Sequence, residues 1–235
     1  MIIGSCDPAP NNHGTNWFNP KTGKAIFEEF DFAVFDGWKH KLKSKHIPEL
    51  ALKWVKAHDS YFKHTSHFFI EEMVVPLFAS SGRSGKREGC NPLAKDVIAA
   101  IHTAILALYP HVKVVQTRPQ KIRKIFGIGA DRTRKGKSKA SSGVKHKAGK
   151  RRSILEGLPQ ITSKEVVTQY RKRIRWEYDR KEREDAGEAA LIGVGGYHYY
   201  RDGDGDPPKR VCRRTQNLID MTYQLLPGIL EDGAL

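Results

Sequence analysis

The chain opens with the segment Ile-Ile-Gly-Ser-Cys-Asp-Pro at residues 2–8, an apolar run that stops at an acid. The run is short and is followed by Pro-Asn-Asn-His-Gly at residues 10–14, which is typical of a turn, so it predicts a buried strand ending at Asp7. An acid that is buried without a partner is energetically costly. Asp7 is therefore the first candidate functional residue.

The segments that follow predict further strands and helices. Short apolar or aromatic runs bounded by turn residues predict strands, and apolar residues spaced three or four apart predict helices. The predicted order after the first strand is strands at 15–18 and 25–34, a helix through 50–61, a strand at 68–75, a helix over 92–108, a strand at 112–115, and helices from 162 and over 215–226. Three strands followed by alternating helices and strands predict an α/β fold with a five-stranded sheet.

Further polar candidates lie on the fourth predicted strand and on the last helix. Glu71 and Glu72 interrupt an otherwise apolar run, and neighbours on a strand face opposite sides, so only one of them can share the face of Asp7. Asn217 and Asp220 are three residues apart and lie together on a polar face of the last predicted helix. Carboxylate and amide oxygens are ligands for hard cations such as Mg²⁺.

The positive charge of the chain is concentrated in one segment. The formal net charge is +15, and residues 121–152 hold thirteen Lys or Arg against one acid. Residues 129–150 are also rich in Gly and Ser and poor in apolar residues, which predicts a mobile basic insertion. A phosphate-rich partner fits such a segment, although a localisation signal or a solvated tail would have the same composition.

Size and cysteine content favour one intracellular domain. A chain of 235 residues can bury a core without disulfides, so residues 1–235 are expected to form a single domain with the basic insertion inside it. Three widely spaced cysteines suggest neither a disulfide framework nor a zinc site, and no signal peptide or membrane span is visible. We expect a protein of the cytoplasm or nucleus that is not secreted and has no membrane partner.

Four motifs, in order, resemble the RuvC and poxvirus-type Holliday junction resolvases of the RNase H-like superfamily. The strand ending in Asp7 looks like the opening motif, and Ile70-Glu71 looks like the second. The strand at 112–115, which leads to Pro119, a basic turn and Gly127, resembles the third, and residues 217–220 occupy the place of the closing Asp-x-x-Asp motif. The resemblance implies an RNase H-like fold with a mixed sheet flanked by helices.

The resemblance also implies an activity, which is two-metal hydrolysis of phosphodiesters in branched DNA such as a Holliday junction, by a homodimer. Mg²⁺ would be the cofactor, with Mn²⁺ as a substitute, and a viral replication site would be one possible location. Asp7, Glu71, Asn217 and Asp220 would be the catalytic metal ligands, with Asp7 bridging both ions. The residues expected to bind DNA are Lys121, Arg123, Lys124, Arg132, Arg134, Lys135, Lys137 and Lys139.

Two departures leave other functions open. Asn217 stands where the family has Asp, which would weaken one metal site and suits a non-catalytic protein that binds branched nucleic acid. An RNase H or transposase-like nuclease with another substrate would use the same sheet. Residues 202–206 have the acid spacing of a calcium loop but lack its remainder, so a turn is the preferred interpretation. The aromatic run at 197–201 fits a core segment better than a base-stacking surface.

Overall fold

In a computed structural model of the chain, residues 1–9, 13–22, 24–30, 42–71, 92–118, 122, 185–200 and 213–231 are described. The strands are β1 (Ile2–Asp7), β2 (His13–Phe18), β3 (Ala25–Phe30), β4 (Thr65–Glu71) and β5 (Lys113–Thr117). The helices are α1 (Ile47–Ala57), α2 (Asp59–Phe62), α3 (Pro92–Leu108), α4 (Asp185–Tyr200) and α5 (Arg213–Glu231), with a 3-10 turn at Ser44–His46 before α1.

The strands form one mixed sheet in the order β3-β2-β1-β4-β5. β1, β2 and β3 are antiparallel neighbours, whereas β4 and β5 run parallel to β1. Short turns can join antiparallel strands, but parallel strands need long crossovers, and helices α1, α2 and α3 lie in those crossovers. The predicted mixed five-stranded sheet flanked by helices is therefore confirmed.

The two faces of the sheet carry different helices. Cys6, Trp17 and Phe68 point to a core formed with α1 and α3, which we call the α1/α3 face. Ile3, Phe18 and Phe69 point to a core formed with α4, which we call the α4 face. Side chains alternate along a strand, so a residue's position in β1 or β4 determines its face.

Helix α5 belongs to the α1/α3 side of the molecule, because it packs on α1 and α3. Leu218 and Thr222 are buried one turn apart, and the Thr222 hydroxyl donates to the Leu218 carbonyl at 2.8 Å. The helix was predicted to stop before Pro227 but continues to Glu231. Pro227 is exposed, so water can satisfy the carbonyl whose hydrogen bond a proline removes.

Several expectations lie outside the described residues, including the helix from 162, the end of the strand at 72–75 and the basic insertion. The single-domain organisation stays a prediction. Among the helices described here, none is long and apolar enough to cross a membrane.

Candidate active site

The sheet register places acids from two parallel strands side by side. Cys6 pairs with Ile70 in the parallel β1–β4 ladder, so the next residues, Asp7 and Glu71, are neighbours at the ends of their strands. Both follow the alternation of Ile3 and Phe69 and therefore point to the α4 face. The two residues that the sequence selected from the strands are thus brought together.

One row of residues crosses the sheet at this position. Asp7 pairs with Gly14 in β2, Gly14 pairs with Glu29 in β3, and Glu71 pairs with Thr117 in β5. Gly14 stands between two acidic strand ends and contributes no side chain. The α4 face of the sheet therefore has a gap above Gly14, where no side chain stands between Asp7 and Glu29.

The first turn of α4 fills that place. A Cβ atom added to Gly14 would collide with the backbone carbonyl of Asp185, so only glycine allows the helix to approach this closely. The Ala186 amide donates a hydrogen bond to Glu29 Oε1 at 2.9 Å. Asp185 and Glu188 are three residues apart and so share one side of the helix. The first turn of α4 thus adds two acids beside the strand ends.

Small residues hold the rest of α4 close to the sheet. The buried Ser5 hydroxyl donates to the Ala189 carbonyl at 2.6 Å, and Gly193 lies against the same serine. A Cβ at Gly196 would stand 2.5 Å from Cδ1 of Phe69. Because positions 189, 193 and 196 recur at helical spacing, they form one small-residue face along the helix. This face fixes the helix against β1 and β4.

The pKa of Asp7 reflects the acids that surround it. Burial raises the pKa of Asp7 well above its usual value, and the charge and hydrogen bond of Glu71, then the charges of Glu188 and Asp185, raise it further. Burial, Asp7 and Glu71 likewise raise the pKa of the Cys6 thiol. Asp7, Glu71, Asp185 and Glu188, the carboxylate cluster, are thus electrostatically coupled and mutually repulsive.

The donor chemistry of the carboxylate cluster fits Mg²⁺, which prefers oxygen ligands. In the described ranges, no three His, Cys, Asp or Glu side chains are arranged to hold a metal ion directly. The charge and the hydrogen bond of Glu71 both raise the pKa of Asp7, as expected for two adjacent carboxyl groups. A bound divalent cation would offset the repulsion between these carboxylates.

The structure does not bring the two other predicted ligands to this place. Asn217 and Asp220 are exposed on α5, and Asp220 accepts a hydrogen bond from Gln216 at 2.9 Å. Helix α5 packs on α1 and α3, on the opposite side of the sheet from the face to which Asp7 points. Their assignment to the cluster is corrected, because the buried Leu218 and Thr222 turn these two polar residues outward to solvent.

Asp185 and Glu188 were missed although they repeat the spacing of the expected closing motif. Two acids three residues apart open an Ala- and Gly-rich apolar run at 189–196, which is typical of a tightly packed helix. That run follows a heavily charged segment, and the change in composition was the available signal. The non-catalytic alternative had rested on the neutral Asn217, whereas Asp185 and Glu188 both have carboxyl groups.

The predicted DNA-binding residues all lie outside the described residues. These are Lys121, Arg123, Lys124, Arg132, Arg134, Lys135, Lys137 and Lys139. In the aromatic run, the core interpretation holds for Tyr200, which is 4% exposed, but not for Tyr199, which is 51% exposed. Tyr197 packs edge-on against Phe18 with ring centroids 6.2 Å apart.

Comparisons with known proteins found similarity only among solved structures. No protein-family model and no curated protein matches the chain. The structure of Thermus thermophilus RuvC is 13% identical, with 86% of this chain and 96% of that chain covered and a TM-score of 0.46. T. thermophilus RuvC in complex with a Holliday junction substrate is 12% identical, with 87% and 98% covered and a TM-score of 0.45. The fowlpox virus Holliday junction resolvase is 14% identical, with 84% and 98% covered and a TM-score of 0.42.

Proposed function

We propose that this chain is a Mg²⁺-dependent endonuclease that hydrolyses phosphodiesters at Holliday junctions or other branched DNA. The observation that carries the proposal is the carboxylate cluster, in which Asp7 is coupled to acids from β4 and from α4. Burial and three other carboxylates raise the pKa of Asp7. Gathered acids of this kind suit divalent cations.

Each acid has a distinct position in the proposed site. Asp7 lies between Glu71 and the first turn of α4, so it is the residue best placed to contact two ions. Glu71 and Asp185 are partly exposed, whereas Glu188 is only 5% exposed and is held by its helix. Bound Mg²⁺ would activate water and offset the charge of the phosphate under attack. The partly exposed side of the cluster is where that phosphate would enter.

The substrate and assembly parts of the proposal rest on the sequence. Thirteen basic residues within 121–152 supply charge for phosphate contacts, and the motif order resembles junction resolvases. A four-way junction has two equivalent strands to cut, which a homodimer with two sites would match. We further propose Mn²⁺ as a substitute metal, a single domain over residues 1–235 and a location in the cytoplasm or nucleus where DNA is processed.

The test is cleavage of a labelled four-way junction beside a linear duplex and an RNA–DNA hybrid of matched sequence, with Mg²⁺ or EDTA. Paired symmetric nicks on the junction alone, dependent on Mg²⁺ and absent in Asp7→Asn, are the expected result. Cleavage of the hybrid instead would assign an RNase H-like substrate. Tight junction binding without cleavage at any metal concentration would overturn the nuclease and leave a binding protein.

A further inference from the structure

The strand β3 contributes an acid that does not belong to the carboxylate cluster but contacts the helix that carries half of it. Glu29 accepts the hydrogen bond of the Ala186 amide at 2.9 Å, between the two acids of α4. Glu29 is partly buried and lies on the α4 face, next to Gly14 in the ladder. Glu29 therefore contacts the backbone of the first turn of α4.

A second contact restrains the same turn. Gly14 pairs with Glu29 and lies against the Asp185 carbonyl with no room for a side chain. The strand pair β2–β3 therefore contacts the peptide group between Asp185 and Ala186 twice, sterically at its carbonyl and through a hydrogen bond at its amide. A negative side chain at the amino end of a helix is also favoured by the helix dipole. These contacts fix where the turn lies relative to Asp7.

We propose that Glu29 is a positioning residue for the metal site, which sets the location of Asp185 and Glu188 by anchoring the Ala186 amide. The inference rests on the proposed metal-dependent function of the carboxylate cluster. Adding a further acid near mutually repelling carboxylates would by itself be unfavourable, so its anchoring contact gives a reason for an acid here. Residues that orient metal ligands from behind contribute about 10- to 100-fold to metal affinity.

The test compares Glu29→Ala, which removes the acceptor, with Glu29→Gln, which retains an acceptor oxygen without the charge. Glu28→Ala is the matched control, because Glu28 is the adjacent residue of β3 and bonds His58 at 3.0 Å on the α1/α3 face. Mn²⁺ affinity is measured by titration calorimetry, and exchange of the Ala186 amide is followed by NMR. Junction cleavage is measured over a Mg²⁺ series.

We expect Glu29→Ala to weaken Mn²⁺ binding by about tenfold or more, to raise the Mg²⁺ concentration for half-maximal cleavage in parallel, and to speed exchange at Ala186. Glu29→Gln should keep most of the wild-type Mn²⁺ affinity, Mg²⁺ requirement and slow exchange at Ala186. Glu28→Ala should change only the stability of the protein. Unchanged metal affinity in Glu29→Ala would overturn the proposal. Complete loss of metal binding in Glu29→Gln would also overturn it, because a direct ligand behaves in that way.

Failure of the proposed function gives a different pattern. If the wild-type protein neither binds Mn²⁺ nor cuts any substrate, the metal site itself is refuted, and the positioning role is refuted with it. In that case exchange at Ala186 still reports whether Glu29 anchors the helix. If the wild-type protein binds and cuts, the comparison of the variants tests Glu29 alone.

Discussion

Ser5 and Ala189 are joined by a 2.6 Å hydrogen bond from the serine hydroxyl to the helix carbonyl, across 184 residues of sequence. The bond lies in the interior of the α4 face, just below the carboxylate cluster. It is possible only because Gly193, one turn further along α4, has no side chain to occupy the place of Ser5. The distance from helix to sheet is thus set by a hydroxyl group and a glycine.

Gly193→Ala should therefore destabilise the protein by about 1–3 kcal/mol, because the new methyl group meets both Oγ and Cβ of Ser5. Since the helix must move outward, cleavage should also fall. Gly228→Ala in α5 is the control, where the methyl group meets nothing within 4 Å and should stabilise by roughly 0.5–1 kcal/mol. Urea unfolding measures both. Equal stability of the two variants would contradict the close packing.

Exchanging the acids distinguishes the cluster found in the structure from the one expected from the sequence. Asp185→Asn and Glu188→Gln should each lower the cleavage rate by about 100-fold, because each removes a charged oxygen ligand. Asn217→Ala and Asp220→Ala should cut at the wild-type rate, because both side chains are exposed on α5. Single-turnover cleavage at saturating Mg²⁺ is the measurement. If the α5 variants lost cleavage and the α4 variants kept it, the metal ligands would lie on α5 and not on α4.

Removing the charge of Asp7 should stabilise the metal-free protein. The pKa of Asp7 is raised by burial and by neighbouring carboxylates, so its environment disfavours the ionised form. Asp7→Asn should gain on the order of 1 kcal/mol in EDTA. Added Mg²⁺ should raise the melting temperature of the wild type and leave the variant unchanged, because only a protein that binds the ion is stabilised by it. A variant less stable in EDTA would show that Asp7 is not under repulsion.

Acid should destabilise the fold through His13, which is fully buried beside Trp54. Burial, and then the nearby His58, lower the pKa of His13 from 6.5 to about 3. The unfolded chain therefore binds a proton below the ordinary value that the folded chain refuses, and stability falls as pH falls. The loss attributable to His13 should approach about 1.4 kcal/mol per pH unit below the unfolded value.

The variant His13→Gln should remove this part of the pH dependence, measured by urea unfolding at pH 7 and at mildly acidic pH. His64→Gln, whose side chain is exposed, is the matched control and should keep the wild-type slope. An unchanged slope in His13→Gln would mean that His13 accepts a proton in the folded state.

The basic insertion can be tested by deleting residues 132–150, which removes eight Lys or Arg residues. We expect weaker junction binding and a shallower dependence of affinity on salt, because fewer counterions are released from DNA. A linker of equal length with serine at the basic positions is the control for chain length. If the salt dependence stays the same, the segment serves another purpose.

The sheet and its first two acids could be predicted because their signals are local. The run ending at Asp7 and the one containing Ile70-Glu71 each showed a buried strand with an acid at or near its end, and the parallel pairing then aligns them. The helix that supplies the remaining acids was harder to predict. Asn217-x-x-Asp220 and Asp185-x-x-Glu188 have the same spacing, and spacing cannot reveal which helix covers which face of a sheet.

What separates those two helices is the packing of their small and buried residues. Gly193 and Gly196 allow α4 to lie directly on β1 and β4, which a sequence pattern shows only when the partner surface is known. Leu218 and Thr222 give α5 an ordinary helix-packing side directed at α1 and α3. Glu29 was not predicted for a related reason, because its partner is a backbone amide 157 residues away.

The long sequence separation between Ser5 and Ala189 also affects when the site can form during synthesis on the ribosome. Asp7 and Glu71 leave the ribosome first, whereas Asp185 and Glu188 emerge more than a hundred residues after Glu71. Until then the α4 face of the sheet, with Ile3 and Phe69, lacks α4. A nascent or truncated chain that lacks α4 therefore holds half of the acids, and under the proposed function we expect it to be unable to cut DNA.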